Sequence, residues 1–303
     1  GNDGSRDICS NQVMTTPLFD LYNLLGGTPD NTGVWSGPIG TTNGFQGTLD
    51  VSSMTEVGSP YVFTYSVASN YCSTSTATVT IIINPLPIVS IAENKTICSG
   101  ENATVTFTGT PNATVTYNEN GGNNQNITLN NSGLATISKV FTTTTVFNLV
   151  SITLNDVPGC TNLQVGSVTI TVLPLPTVVI SSNTDVCPNG TATINFKGTP
   201  NATVTYSENG GSNQTIILNA SGEASITKNY AATTVYNLVS IASAGTPSCV
   251  QPINGTVTIT VIPLPIVTII SDSIICPNSE ATVTFTGTPN AIVTYKMNNG
   301  ADQ

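Results

Sequence analysis

The chain contains no histidine. That removes the side chain whose charge changes near neutral pH, the commonest general base, and the usual Ser and Cys catalytic arrangements. Charge of either sign is scarce: 7% of residues are Asp, Glu, Lys or Arg, against about 25% in an average soluble protein. Only 6 residues are basic and 16 acidic, a net charge of −10. No basic patch can neutralise phosphates, so nucleic acid is excluded as a partner. No apolar run reaches the roughly 18 residues of a membrane span, and no membrane insertion is expected of this segment. Zinc lacks its usual ligands, because there is neither histidine nor a Cys-x-x-Cys pair. No segment longer than about ten residues keeps a 3.6-residue period, so helices are not expected.

Thr, Asn, Ser, Val and Ile fill the gap, a composition that favours strands and turns. They are ordered by a repeat. Gly-Thr-Pro-Asn-Ala begins at Gly109, Gly198 and Gly287, Pro-Leu-Pro at Pro85, Pro174 and Pro263, and cysteines stand at Cys98, Cys187 and Cys276. All three landmarks step by 89 residues (198 − 109 and 287 − 198 for the first), which is the size of a small autonomous domain rather than of a solenoid unit. The expected domains are 1–85, 86–174, 175–263 and the truncated start of another repeat, 264–303. The chain begins at Gly1 without an initiator Met and its last module stops about halfway, so it is read as a piece of a longer repeat protein.

Within 176–265 the pattern predicts seven short strands. Thr177-Val-Val-Ile-Ser opens the module, and Ala192-Thr-Ile-Asn-Phe-Lys, Ala202-Thr-Val-Thr-Tyr and Thr234-Val-Tyr-Asn-Leu-Val-Ser-Ile alternate apolar and polar residues with period two. Glu208-Asn-Gly-Gly reads as a tight hairpin and Asn219-Ala-Ser-Gly as a further turn. The fold class this implies is all-β: tandem immunoglobulin-like or fibronectin-like sandwiches, with a small barrel as the competing architecture. Proline ends each module's last strand and makes a short extended connector, so an elongated, semi-rigid rod is expected, with Leu86, Leu175 and Leu264 packing at the joints. The first module diverges, carrying the only tryptophan in Gly33-Val-Trp-Ser-Gly-Pro.

The cysteines divide as Cys9 and Cys72, Cys98 and Cys160, Cys187 and Cys249, each pair in one module at separations of 63, 62 and 62, with Cys276 left over. One pair per module at near-constant spacing predicts the intramodule disulfides Cys9–Cys72, Cys98–Cys160 and Cys187–Cys249, and an oxidising compartment outside the cytosol. Pairing across the joints (72–98, 160–187, 249–276) is also evenly spaced and stays open. No metal and no cofactor is expected. The acidic residues Asp3, Asp7, Asp20, Asp30 and Asp50 could include a calcium site, but the joints lack grouped carboxylates. Glu119, Glu208 and Asp302 read as solvated turn residues, Phe147 and Tyr236 as core rather than a ligand platform, and Trp35 as core or a binding residue.

Ile97-Cys-Ser-Gly-Glu-Asn-Ala-Thr-Val-Thr-Phe, Gly109-Thr-Pro-Asn-Ala-Thr-Val-Thr-Tyr, the Asn-Gly-Gly hairpin and Val146-Phe-Asn-Leu-Val-Ser resemble the tandem immunoglobulin-like repeats of giant surface adhesins of Bacteroidota, most closely the gliding-motility adhesins of flavobacteria. The resemblance implies type IX secretion, display on the outer membrane, transport along the cell surface by the gliding machinery, and contact with surface polysaccharide or a solid substratum through other regions. It carries over no catalytic residue, and no enzyme activity is expected. Three functions follow: a stalk projecting a distal binding region, a spacer in a secreted glycan-active enzyme, or an array of carbohydrate-binding modules. Near-identical neighbouring repeats favour the stalk, since a catalytic site needs one special domain.

Overall fold

The computed structural model describes the 303-residue chain except residues 70, 71, 157, 183, 184, 299 and 301. Among the described residues it is all-β apart from four short 3-10 turns in the first module. The chain divides into two compact units, Gly1–Leu173 and Pro174–Gln303.

The first unit holds two modules, each with its own core. In the first, the Ser75–Asn84 strand alternates as its sequence does: Ala77, Val79, Ile81 and Ile83 are buried and the residues between them face outward. It lies between Gly4–Cys9 and Tyr61–Val67, with Val34–Ser36 at the far edge. Leu21, Leu49, Phe63 and Val79 close the core completely. Trp35 packs at its margin, with its ring 4.9 Å from Tyr65 and its indole N–H donating to the Phe45 carbonyl.

In the second module one sheet runs Asn124–Thr128, Thr114–Glu119, Thr145–Thr153, Ser167–Leu173 and Lys95–Cys98. The facing sheet runs Leu134–Phe141, Glu101–Gly109 and Val89–Ile91. Phe107, Val115, Phe147 and Ile170 fill the space between. All pairings are antiparallel except one: Lys95–Cys98 runs parallel to the end of Ser167–Leu173. A split first strand, antiparallel in one sheet and parallel to the last strand in the other, together with this strand order, makes the module immunoglobulin-like.

The second unit repeats the arrangement. Val178–Ser182, Gly190–Gly198 and Glu223–Tyr230 form one sheet. Gln214–Ile217, Thr203–Glu208, Thr234–Ala242 and Val250–Pro252 form the other, with Thr256–Ile259 also paired to Thr234–Ala242. The core again centres on fully buried Ile194, Val204, Tyr236 and Ile259. After it, Val267–Ser271 pairs with Val283–Gly287, and Ile269, Ile270 and Ile292 are exposed.

The repeated Gly-Thr-Pro-Asn-Ala has a physical role at four of its five positions. A Cβ on Gly109 would stand 2.2 Å from the Ile88 carbonyl oxygen, and one on Gly198 2.0 Å from that of Thr177. The Thr110 and Thr199 hydroxyls accept the backbone N–H of Ile88 and Thr177. Asn112 and Asn201 take left-handed φ angles of 59° and 60°, and Ala113 and Ala202 are fully buried. The motif therefore closes a turn and fixes the first residues of its own module. Of the joint leucines only Leu86 is half-buried; Leu175 and Leu264 are exposed, and the buried joint residues are Pro87 and Pro176.

Candidate functional site

The six cysteines predicted to form intramodule bridges do not do so. Cys9 is bonded to Cys160, 151 residues away, with Cα atoms 5.4 Å apart. Cys98 and Cys249 are disulfide-bonded too, whereas Cys72, Cys187 and Cys276 carry exposed free thiols. The intramodule pairs Cys9–Cys72, Cys98–Cys160 and Cys187–Cys249 are thus overturned, and the evenly spaced 72–98, 160–187 and 249–276 fail with them.

The reason is where the strands place each sulfur. Cys9 stands opposite Asn84 in parallel register, immediately before Pro85-Leu86-Pro87. Cys98 stands opposite Leu173, immediately before Pro174. Val186 bridges to Val261 in the same parallel sense, which puts Cys187 beside Ile262. The first cysteine of each of the three complete modules, Cys9, Cys98 and Cys187, therefore lies at the pole where the chain leaves.

The second cysteine lies at the opposite pole. The Cys160 carbonyl accepts the Leu154 N–H, and Asn162, two residues on, donates its side-chain N–H to the carbonyl of Pro87, where the module begins. The Cys249 carbonyl accepts from Ser243 in the same way, and Gln251 donates to Pro176. Thr145–Thr153 and Thr234–Ala242 run from one pole to the other; nine residues at about 3.3 Å each separate the ends by roughly 26 Å. A disulfide spans Cα atoms only about 4.4–6.8 Å apart. In the first module the Ser75–Asn84 strand keeps Cys72 and Cys9 apart likewise.

Across the Pro85-Leu86-Pro87 joint the two poles of the first unit meet. Beside the bond, Asn11 donates its side-chain N–H to the Thr161 carbonyl at 3.2 Å. Both bonded cysteines are buried, Cys9 at 1% and Cys160 at 0% exposure. In the chain-entropy account a bridge closing a loop of this length stabilises by about 5 kcal/mol.

The remaining candidates are structural. Glu119 and Glu208, read as solvated turn residues, are ion-paired at 2.6 Å to Lys139 and Lys228. Each lysine also lies over two rings, Phe141 and Phe147 in one module and Tyr230 and Tyr236 in the next. These pairs are partly exposed, so each contributes at most about 1 kcal/mol. Phe147 and Tyr236 are fully buried core residues.

Asp3, Asp7, Asp20, Asp30 and Asp50 accept separate hydrogen bonds, from Thr78, Asn84, Thr48, Thr32 and Ser52. The Thr32 hydroxyl and amide hold the Asp30 carboxyl below its usual range, and Ser52 does the same for Asp50. Among the described residues no group of three or more potential metal ligands converges, and no helix is long and apolar enough to cross a membrane. An open groove of about 390 Å³ lies beside Asn195, Lys197 and Glu223.

No family model matches the sequence, and no curated protein matches it. Solved structures with similar folds include a Ca2+-stabilised adhesin with which an Antarctic bacterium binds ice, 17% identical over 88% of this chain and 74% of that one (TM-score 0.43). A 1.5-MDa bacterial ice-binding adhesin is 15% identical over 84% and 93% (TM-score 0.42). The immunoglobulin domains 1–5 of Sidekick-1 are 13% identical over 99% and 69% (TM-score 0.30). The immunoglobulin-like fold rests on the strand order and the split first strand, not on these matches. Similarity at this level does not extend to what those proteins bind.

Proposed function

We propose that the chain is a stalk segment of a large cell-surface adhesin, a covalently reinforced series of modules that projects a binding region elsewhere in the protein. The observation that carries this reading is the Cys9–Cys160 bond, which joins one module to the next instead of closing either. A bond inside a module protects only that module. A bond across a joint lets load pass between modules through sulfur as well as through the proline connector. Repetition of the same Gly-Thr-Pro-Asn-Ala turn in three copies supports it, since length is served by copies and a reactive site is not.

The finer reading rests on the resemblance of 97–107, 109–117 and 146–151 to flavobacterial gliding adhesins: export by type IX secretion, display on the outer membrane, and movement by the gliding machinery. The test is to delete or duplicate residues 175–263 in the parent protein while monitoring surface display and attachment of cells to a surface. A stalk gives attachment that changes gradually with repeat number at constant display. Loss of glycan hydrolysis or of glycan binding by one deletion, with attachment unchanged, supports the enzyme-spacer or carbohydrate-module readings instead.

A further inference from the structure

The Cys187 thiol is exposed and unbonded, yet it occupies the position that Cys9 holds in its own module. Cys9 ends a parallel ladder with the last strand, Cys187 follows a parallel bridge from Val186 to Val261 just past the last strand, and both sit beside the residues that precede Pro-Leu-Pro. Ile262 donates its N–H to the Val186 carbonyl, so the chain just past the last strand is fixed against the residue before Cys187. Cys9 in this position finds its partner on a loop at the near pole of the following module, 151 residues along the chain. From Cys187 the same step, 187 + 151, reaches position 338, one period of 89 beyond Cys249.

The geometry assigns Cys187 as the covalent docking point for the next repeat of this type, bonded to that repeat's counterpart of Cys160 and Cys249. The occupant is fixed by chemistry: it must present a cysteine at the pole where its chain begins, held there by the strand that Thr161–Leu163 and Val250–Pro252 form. A cysteine at the far pole, where Cys9 and Cys98 stand in their own modules, lies about one sandwich length too far away.

The bond forms by exchange with a small-molecule disulfide such as oxidised glutathione. The Cys187 thiolate attacks one sulfur and releases one small thiol. The incoming module's thiolate then attacks the Cys187 sulfur of the mixed disulfide and releases the second. The small disulfide takes up both electrons, and the two protons leave on the released thiols.

This inference rests on the tandem-stalk reading, and one chain tests it separately. A second copy of residues 175–263 is inserted after Pro263, so that an intact module with its own core follows Cys187. After oxidation with a glutathione buffer, non-reducing peptide mapping is expected to link Cys187 to the inserted copy of Cys249. The number of free thiols should stay at three although two cysteines have been added. Five free thiols, or a bond between the inserted module's own two cysteines, overturns the assignment. The melting transition of the inserted module is followed in parallel: a folded module with Cys187 still reactive toward iodoacetamide refutes the bond and leaves the stalk reading standing. Replacing Cys187 by Ser (Cys187→Ser) in the same chain should free the inserted cysteine and raise alkylation at that site alone.

Discussion

Thr110 holds Ile88 from both sides: its hydroxyl accepts the Ile88 N–H at 3.0 Å, and its own N–H donates to the Ile88 carbonyl at 2.9 Å. Thr199 and Thr177 repeat the pair one module on. A Thr110→Val substitution keeps the shape and removes the acceptor of an exposed hydrogen bond, leaving the Ile88 amide to water at an expected cost of about 0.5–1.5 kcal/mol. Gly109→Ala drives a methyl group into the Ile88 carbonyl and should cost about 1–3 kcal/mol through overpacking. Thermal unfolding of the chain should show a lowered melting temperature for the second module alone, by at least about 4 °C for each kcal/mol. An unchanged transition contradicts the role given to the motif.

Alkaline pH should weaken the third module more than the second. The Tyr230 and Tyr236 hydroxyls lie 3.2 Å apart in the core, where Phe141 and Phe147 stand one repeat earlier. Burial first, then the neighbouring hydroxyl, raises the Tyr230 pKa strongly; burial also raises that of Tyr236. A raised folded-state pKa means that the neutral form is favoured in the fold. The stability it contributes is complete below the unfolded value of about 10 and is lost as pH rises above it. Unfolding followed between pH 8 and pH 11 should show the third module's transition falling first, and Tyr230→Phe with Tyr236→Phe should abolish the difference.

Chelation should leave the first module where it is. Asp3, Asp7, Asp20, Asp30 and Asp50 each accept hydrogen bonds from their own protein partners. A fall in melting temperature of more than about 5 °C on adding EDTA, roughly 1 kcal/mol for a domain this size, would show that a cation holds some of them together.

What could be read from the residues follows from which rule governs them. Strands such as Thr234–Ala242 announce themselves because one face is buried and the alternation is strict. The hairpin at Asn209 and Gly210 does so because both need positive φ. The short parallel strand Lys95–Cys98 is too brief to show a period, and it decides which pole receives the cysteine. Spacing could not replace it, because a period of 89 makes every choice of partner evenly spaced. Lys139 and Glu119 escaped for another reason: they are 20 residues apart and meet only once the two sheets face each other.

The central claim is that the Cys9–Cys160 bond carries load from one module to the next. It is tested most directly by pulling single molecules of the 303-residue chain between Gly1 and a handle placed at the Pro174 joint. With the bond closed, only Gly1–Cys9 and Cys160–Leu173 lie on the covalent path. Breaking it, by reductant or by Cys160→Ser, adds about 150 residues, or roughly 540 Å at 3.6 Å per residue. The account predicts a short, stiff response in the oxidised wild type and the extra 540 Å of contour length in the variant. The same full extension in both would mean that the modules are not joined through sulfur, and would contradict it.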